Sequence, residues 1–304
     1  MKTKNKIGII ILALLFINTV VKAQQQVMFS QYMFNGLAIN PAYAGSQESL
    51  SMTALMREQW VGIDGAPSTQ TLSAHTPFEK KRIGVGLLIL HDKIGVTDQT
   101  GVYGSYAYKL PMAVGQLSLG LQAGFTHYRA RYSEVSLSDP TFQSGDISEI
   151  HPNFGFGAYY STDKFYAGIS VPQLVQSKID KNNSVTEAKI SRHYFIHAGY
   201  VFDLSRSLKL KPNLLVKMVE GAPIEFDLNA TAYFQELIGL GVSWRSMDAI
   251  VMLLQVQITN KLQFGYAYDF GTTAIRQVSS GSHEIYLNYR LSFSKAKIIT
   301  PRFF

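Results

Sequence analysis

The chain of 304 residues contains no cysteine, which excludes disulfide bridges and thiolate metal sites. Charged residues make up only 16% of the chain, and no stretch beyond the N-terminal leader is long and apolar enough to span a membrane as a helix, which takes about 20 residues. Tyrosine and phenylalanine are abundant instead, with 17 and 18 copies. If the mature chain crosses a membrane, it must therefore do so as a closed β-barrel, since a barrel satisfies its own backbone hydrogen bonds in lipid.

The first 23 residues are typical of an export signal. Three lysines precede a mostly apolar run from Ile7 to Val21, and Val21-Lys22-Ala23 ends it with the small residue that signal peptidases prefer. The run is shorter than the roughly 20 residues of a spanning helix. We expect a signal peptide over residues 1–23, cleaved near Ala23, with an uncleaved anchor as the alternative.

The apparent basicity belongs largely to this leader. The formal net charge falls from +7 to +3 when its four lysines, Lys2, Lys4, Lys6 and Lys22, are removed. A mature chain of this charge gives no support to nucleic acid as a partner.

An alternation with period two fills most of the remaining chain. In Gln116–His127, apolar side chains from Leu117 to Phe125 alternate with small or polar ones from Ser118 to Thr126. Alternation at 180° per residue indicates strands, whereas a helix needs apolar spacings of three and four. Fourteen such segments are predicted, near 49–57, 68–76, 83–91, 100–108, 116–128, 152–161, 164–170, 192–202, 207–218, 223–233, 237–245, 249–258, 261–270 and 283–293.

The segments favour a membrane barrel over a soluble β-sandwich. Aromatic residues stand at segment ends on the apolar face, as in the interfacial girdles of outer-membrane barrels. The longest connections, 129–151 and 171–191, fall on one side, and barrels place short turns on the periplasmic side. The prediction is an all-β fold: a transmembrane antiparallel barrel of about 14 strands over residues 49–304, in contact with outer-membrane lipids, preceded by a non-barrel segment, 24–48.

Charged residues concentrate on the polar face of two neighbouring segments. Lys211 and Lys217 lie on the polar face of one segment, and Glu225 and Asp227 lie on the polar face of the next, so that Lys217 is opposite or diagonal to Glu225 in a hairpin. Cross-strand pairs of opposite charge stabilise a sheet by roughly 0.2–1 kcal/mol each. We interpret the four residues as a charge ladder that stiffens the lumen wall, with a transport pathway as the alternative. Pro212 faces outward and predicts a bulge or weak pairing.

No residue pattern supports catalysis, a cofactor or a metal site. His193 and His197 are four apart on a strand, about 13 Å by strand rise, too far for a shared metal without other ligands. No serine stands in Gly-x-Ser-x-Gly, and Ser73 with His75, the nearest Ser-His suggestion, lies on one strand. The glycine pairs of Gly84-Val85-Gly86 and Gly239-Leu240-Gly241 lack the helix of a phosphate loop and are read as sites of close packing.

Several blocks carry a family resemblance. The N-terminal ones are Phe29-Ser30-Gln31-Tyr32-Met33-Phe34-Asn35 and Asn40-Pro41-Ala42-Tyr43-Ala44-Gly45, followed by Arg57, Gln59-Trp60 and Gly65-Ala66-Pro67. The later ones are Leu210-Lys211-Pro212-Asn213, Asp227-Leu228-Asn229-Ala230, Gly241-Val242-Ser243-Trp244-Arg245, Gly265-Tyr266-Ala267-Tyr268-Asp269 and Gly281-Ser282-His283-Glu284-Ile285. In this order they resemble the PorP/SprF family of type IX secretion and gliding-motility outer-membrane proteins. One departure is Gly36, directly after Asn35, where the resemblance implies a proline.

The resemblance implies a non-enzymatic barrel subunit that is not the translocation pore. It implies periplasmic ring and peptidoglycan-associated proteins of the machinery as partners, together with a large secreted or surface adhesin-like protein. The residues taken as family-motif and interaction candidates are Gln31, Tyr32, Phe34, Asn35, Asn40, Pro41, Tyr43, Gly45, Arg57, Trp60 and Pro67.

Residues 24–48 are rich in apolar and aromatic side chains. We expect them to plug the periplasmic mouth, with Asn35 and Asn40 hydrogen-bonding the wall, and a flexible periplasmic tail is the alternative. The loops 129–151 and 171–191, and the loop with Trp60, are the expected partner surfaces. An outer-membrane transporter or channel with an N-terminal hatch, for hydrophobic or small solutes, is the competing function.

Overall fold

A computed structural model describes residues 27–78, 81–134, 145–179 and 189–291, except the side chains of Lys178 and Lys189. The predicted signal peptide and its cleavage site near Ala23 lie outside the described residues. The same holds for parts of the two predicted long loops and for the end of the last predicted segment.

The described chain forms a closed antiparallel barrel of fourteen strands, which confirms the predicted fold class. Each strand pairs with the next, and the first pairs with the last, so the sheet has no free edge. The strands are Leu50–Glu58 (β1), Ser68–Phe78 (β2), Ile83–Ile94 (β3), Thr97–Pro111 (β4), Gln116–Ala130 (β5), Ile147–Ser161 (β6), Phe165–Gln173 (β7), His193–Tyr200 (β8), Leu208–Val219 (β9), Glu225–Phe234 (β10), Ile238–Arg245 (β11), Ala249–Gln257 (β12), Leu262–Gly271 (β13) and Ser282–Leu291 (β14).

The pairing between β8 and β9 is interrupted at one point. β8 breaks after Tyr200 and resumes as the short stretch Phe202–Asp203, which pairs with β9 again in the same register. The break faces Pro212, whose nitrogen carries no hydrogen to donate. On its other side, Pro212 pairs with Ala230 of β10 without a register shift. The weak pairing expected at this proline is therefore present on one side only.

Side chains follow the predicted alternation. Along β5, Ser118, Gln122 and Thr126 are buried in the barrel, whereas Leu119 and Leu121 point outward and Leu121 is 65% exposed. Apolar side chains that stay exposed in this way match a lipid-facing wall, and polar ones line the lumen.

Several strands are longer than the alternation predicted. β4, β5 and β6 each contain 15 residues, more than the roughly 9–11 that cross a bilayer. The predicted loop 92–99 is therefore a tight hairpin around Gly95. The sequence there looked like a loop because it is polar, but Asp92 and Asp98 are buried on the lumen face.

The two ends of the barrel differ in their connections. The longest connections, 131–146 and 174–192, emerge at one end, hereafter the loop end, and the latter contains a short hairpin of Ser177–Lys178 with Lys189–Ile190. Short turns close the other end, hereafter the turn end, where β1 begins.

Helices are few and short. Tyr32–Phe34, Gly36–Ile39 and Pro41–Tyr43 precede β1, and Tyr132–Glu134 and Ala274–Gln277 lie in loop-end connections. In the described ranges, no helix has the length and apolar character needed to pass through a bilayer.

The outward position of Leu121 predicts the effect of a charge there. Leu121→Arg is expected to destabilise the barrel by about 2–4 kcal/mol, because the side chain sits near the middle of β5 and faces lipid. Val114→Arg, in a turn outside the membrane, is the matched control and is expected to be near neutral. Urea unfolding in lipid vesicles measures both, and equal stability of the two variants would contradict a lipid-facing wall.

Candidate functional site

The N-terminal part of the described chain runs through the barrel lumen. Residues 27–48, hereafter the plug segment, are almost entirely buried. At the loop end, Ser30 contacts Arg57, near the end of β1. At the turn end, Gly45 packs on Gly84, near the start of β3. The segment thus crosses most of the lumen, whereas the sequence predicted a plug only at one mouth.

One carboxylate holds the start of the plug segment by its backbone. The Ser30 amide donates to Oε2 of Glu284 at 2.8 Å, and the Gln31 amide donates to Oε1 at 2.7 Å. Glu284 is fully buried on the lumen face of β14. Hydrogen bonds from amides to a carboxylate are charge-assisted and about twice as strong as neutral ones. Both hydrogen bonds come from backbone amides, so they do not require particular side chains in the plug segment.

Glu284 belongs to a buried network of charges on six strands. We call this the lumen ion cluster: Arg57, Lys217, Glu225, Asp227, Arg245, Asp269 and Glu284. Each of the three cations pairs with two carboxylates of the cluster, and these contacts are 2.7–3.3 Å long. Burying charges is tolerated because every one of them is paired.

The centre of the cluster is the Ser30 hydroxyl. It donates to Asp269 at 2.8 Å and accepts from Arg57 at 2.7 Å and from Arg245 at 3.0 Å. Asp269 in turn pairs with both guanidinium groups. The plug segment is therefore part of the ion cluster, which connects it to β1, β11, β13 and β14.

Asparagines hold the middle of the plug segment. The side-chain nitrogen of Asn35 donates to the Thr71 hydroxyl at 3.1 Å, and the side-chain oxygen of Asn35 accepts from the Ser73 hydroxyl at 3.2 Å. The side-chain nitrogen of Asn40 donates to the backbone carbonyl of Ala158 at 3.0 Å. Its side-chain oxygen also accepts from the Ala42 amide, which caps the short helix Pro41–Tyr43. Both asparagines therefore hydrogen-bond the wall.

Glycines on the wall let the plug backbone approach closely. A Cβ added at Gly120 would stand 2.1 Å from the Ala42 nitrogen, and one at Gly84 would stand 2.0 Å from the Ala44 oxygen. No side chain fits at either position without displacing the plug backbone. This confirms the interpretation of Gly84 as a site of close packing.

Aromatic rings fill the space around the plug side chains. Phe34 stacks on Tyr286 with ring centroids 4.9 Å apart, and Tyr43 meets Tyr159 edge-on at 5.5 Å. Lys211 lies 5.7 Å above the Phe34 ring. Lys211 was grouped with the predicted charge ladder, but its position is beside the plug aromatics, farther along the lumen than Lys217.

The other three ladder residues do come together. Lys217 pairs with Glu225 and with Asp227, each at 3.2 Å, and Lys217 is directly opposite Glu225 in the register. Asp227 also pairs with Arg245, so the predicted ladder is one arm of the lumen ion cluster.

The motif residues named from the sequence occupy three regions: the plug segment, the lumen ion cluster and the β1–β2 connection. Eight of them lie in the plug segment, and Arg57 lies in the ion cluster. Trp60 and Pro67 lie in the connection from β1 to β2, which is closed by a hydrogen bond from the Gln59 amide to the Pro67 carbonyl. The eight are Gln31, Tyr32, Phe34, Asn35, Asn40, Pro41, Tyr43 and Gly45.

Four residues of this site stand in the blocks that resemble the family but were not named as interaction candidates: Ser30, Arg245, Asp269 and Glu284. Their partners are up to 254 positions away in the sequence, so no local spacing links them. A signal was nevertheless present, since Asp269 and Glu284 are charged residues on the polar face of strands whose other face is apolar.

The residues that most resembled catalytic or metal-binding groups also contact the plug segment. Ser73 donates to Asn35, and His75 accepts from the Gly45 amide at 3.1 Å. His197 contacts the Asn40 side chain. Within the described ranges, no group of three or more His, Asp or Glu side chains is placed to hold a metal ion.

Removal of one cluster cation tests the grip on the plug segment. Arg57→Met leaves Asp269 and Glu284 with fewer partners, and breaking a buried pair in this way costs about 3–5 kcal/mol. We expect a lower urea midpoint in detergent and faster protease cleavage within residues 27–48. Arg131→Met, at an exposed arginine of the same barrel end, is the control. Unchanged protection of residues 27–48 in Arg57→Met would show that the cluster does not hold the plug.

A methyl group on the wall tests the close approach. Gly120→Ala is expected to displace Pro41 and Ala42 and to destabilise the protein by about 1–3 kcal/mol, as overpacking does. Gly104→Ala is the control, because its Cβ would meet nothing closer than 3.9 Å. Denaturant titration in detergent compares the two variants. Equal midpoints would show that the plug backbone does not pack against Gly120 in the detergent-solubilised protein.

Solved structures similar to this one include outer-membrane proteins of low sequence identity. The monoaromatic hydrocarbon channel CymD has 14% identity, covers 89% of this chain and 94% of its own, and gives a TM-score of 0.51. Omp33 of Acinetobacter baumannii has 10% identity, covers 81% and 100%, and gives 0.48. At these identities the similarity concerns the barrel fold alone. No curated protein sequence matches the chain.

The family comparison covers nearly the whole chain. A model described as "Type IX secretion system membrane protein PorP/SprF" matches residues 21–289, a range that includes the plug segment and all but the end of β14. The residues that hold the plug in the lumen thus lie inside the family match, and the chain belongs to the PorP/SprF family of type IX secretion system membrane proteins.

Proposed function

We propose that this protein is a non-enzymatic outer-membrane barrel subunit of the type IX secretion and gliding machinery. In this role it supports the secretion or surface attachment of a large adhesin-like partner protein. It contacts periplasmic ring and peptidoglycan-associated components, and it reaches the membrane after removal of residues 1–23. Family membership supports the association with the machinery.

The plug segment is the observation that carries this proposal. It fills the lumen from Ser30 to Gly45 and is held along its length by the ion cluster, the asparagines and the glycine contacts. Two cavities that border it measure about 30 and 60 Å³, room for a few water molecules. A barrel filled in this way serves as a rigid scaffold whose two ends are contact surfaces.

The same observation weighs against the transporter. A solute path would require the plug segment to leave, and its removal would expose the paired charges of the lumen ion cluster. Removal would also take away the hydrogen bonds that Ser30 and Gln31 make to these charges, and hydrogen bonds to charged groups contribute about 1.5–3 kcal/mol each. The similarity to CymD does not alter this, since at 14% identity it concerns the fold.

The two barrel ends suit different partners. Outer-membrane barrels direct long loops outward and short turns to the periplasm. The loop end, with connections 131–146 and 174–192, is therefore the surface for an exported polypeptide. The turn end, where the plug segment leaves the lumen before Leu50, is the surface for the periplasmic components.

A deletion strain tests the proposal. Loss of the gene is expected to stop surface delivery of a large secreted protein while uptake of small solutes stays normal, because the lumen is filled. Delivery is measured by surface immunolabelling and uptake with radiolabelled solutes. The reverse outcome, normal delivery with lost uptake, would select the transporter.

Complementation with plug variants sharpens this test. The natural gene and Gly104→Ala are expected to restore delivery, and Gly120→Ala is expected to restore less at equal amounts of protein in the membrane. Full restoration by Gly120→Ala would show that delivery does not depend on the close contact between the plug segment and the wall.

A further inference from the structure

A cavity of about 260 Å³ opens at the loop end, above the lumen ion cluster. It lies between the β1–β2 connection and the β13–β14 connection. The residues that matter for its chemistry are Arg57, Trp60, Asp248, Asp269, Ile275 and Arg276. The volume is slightly below the roughly 300–1,000 Å³ of pockets that enclose whole small molecules, so it suits a side chain and its immediate neighbours.

The two connections that form the cavity are tied together by backbone hydrogen bonds. The Val61 amide donates to the Gly281 carbonyl, and the Ser280 amide donates to the Val61 carbonyl, each at 2.8 Å. The Trp60 amide donates to the Ser282 hydroxyl at 3.1 Å. The cavity walls are therefore preformed, which lowers the entropic cost of binding.

Trp60 adopts a left-handed backbone conformation with φ of 48°. This conformation is rare for bulky side chains, and such strain concentrates at functional sites. The other described non-glycine residues with positive φ lie in short connections between paired strands, where turn geometry accounts for them: Arg82, Gln235, Glu236 and Met247. Trp60 lies in the longer β1–β2 connection, so its strain has no such explanation.

Among the charged residues that line the cavity, the one without an ion-pair partner in the described ranges is a cation, Arg276. Asp269 is paired with Arg57 and Arg245, and Asp248 is paired with Arg245 at 3.0 Å. Arg276 is exposed, and no carboxylate of the described residues lies within ion-pair distance of it. An acidic group on a ligand therefore finds an available partner in Arg276, whereas a basic group finds Asp248 and Asp269 already paired with arginines.

Exposed apolar side chains lie on the loops next in sequence to residues of the cavity lining. These are Val61, Met247 and Val278. They lie in connections beyond the strand ends, so the lipid-facing wall does not account for them. Exposed apolar groups with a polar rim mark interaction sites, and tryptophan and arginine are frequent anchors there.

We propose that this cavity binds an acidic segment of an exported polypeptide, with one apolar side chain against Trp60 and a carboxylate on Arg276. The identity of the occupant as an exported polypeptide rests on the proposed function. The preference for acidic and apolar groups rests on the cavity alone.

The test is binding of fluorescein-labelled tripeptides to the full-length protein in lipid nanodiscs, followed by anisotropy. Glu-Leu-Glu is expected to bind saturably and more weakly at high salt, since the contact with Arg276 is exposed. Lys-Leu-Lys, with the charge reversed, and Glu-Gly-Glu, without the apolar side chain, are expected to bind at least about tenfold more weakly, a difference of 1.4 kcal/mol.

Variants locate the site. Arg276→Glu is expected to weaken Glu-Leu-Glu by at least about tenfold, and it is at an exposed position, so folding is not at stake. Arg131→Glu, at another exposed arginine of the loop end, is the matched control and is expected to bind normally. Equal binding of the three peptides, or no effect of Arg276→Glu, would overturn the proposal. Saturable binding of lipopolysaccharide without any peptide binding would also overturn it, in favour of a glycolipid site.

The anisotropy measurement is separate from the proposed function. If the natural gene fails to alter surface delivery in the deletion strain while the peptide preference holds, the secretion role fails and the cavity assignment stands. If delivery depends on the gene but Glu-Leu-Glu does not bind, the cavity assignment fails alone.

Discussion

The structure depends on the pairing of buried charges around a serine. Glu284 and Asp269 bring negative charge into the lumen, where an unpaired carboxylate would be very costly. Arg57 and Arg245 pair with them, and the Ser30 hydroxyl and the amides of the plug segment add further hydrogen bonds. Without the plug segment, Asp269, Glu284 and both arginines would each lose a hydrogen-bond partner. The lumen wall and the plug segment therefore stabilise each other.

The same constraint explains the composition of the wall. A fourteen-stranded barrel is wider than the eight-stranded barrels whose own side chains fill the interior, so it needs other material inside. Here the lumen face carries glycine and small polar residues where the plug backbone approaches, as at Gly84 and Gly120. Large aromatic side chains such as Tyr159 and Tyr286 fill the remaining space. Wall and plug segment are therefore complementary in shape: glycines leave room for the plug backbone, and aromatic rings fill the space beside it.

Local sequence pattern was sufficient for the barrel but not for the lumen. Period-two alternation placed every strand, because alternation reports directly which face meets lipid and which does not. It shortened β3, β4 and β6, since polar residues such as Asp92 and Asp98 resemble loop residues until the lumen is known to be their environment. The Lys217–Glu225 pair could be predicted from the register of a hairpin. The hydrogen bond from Ser30 to Glu284 could not, because it joins residues 254 positions apart.

The position of the plug segment also bears on how the barrel closes. Its contacts at the loop end are with β11, β13, β14 and β1, and those farther along are with β2, β6 and β7. β1 and β14 meet only at closure, and Arg57 of β1 and Glu284 of β14 share the plug between them. Ser30 therefore bridges the two strands whose pairing closes the barrel, and the hydrogen bonds that it makes to both contribute to the stability of the closed state.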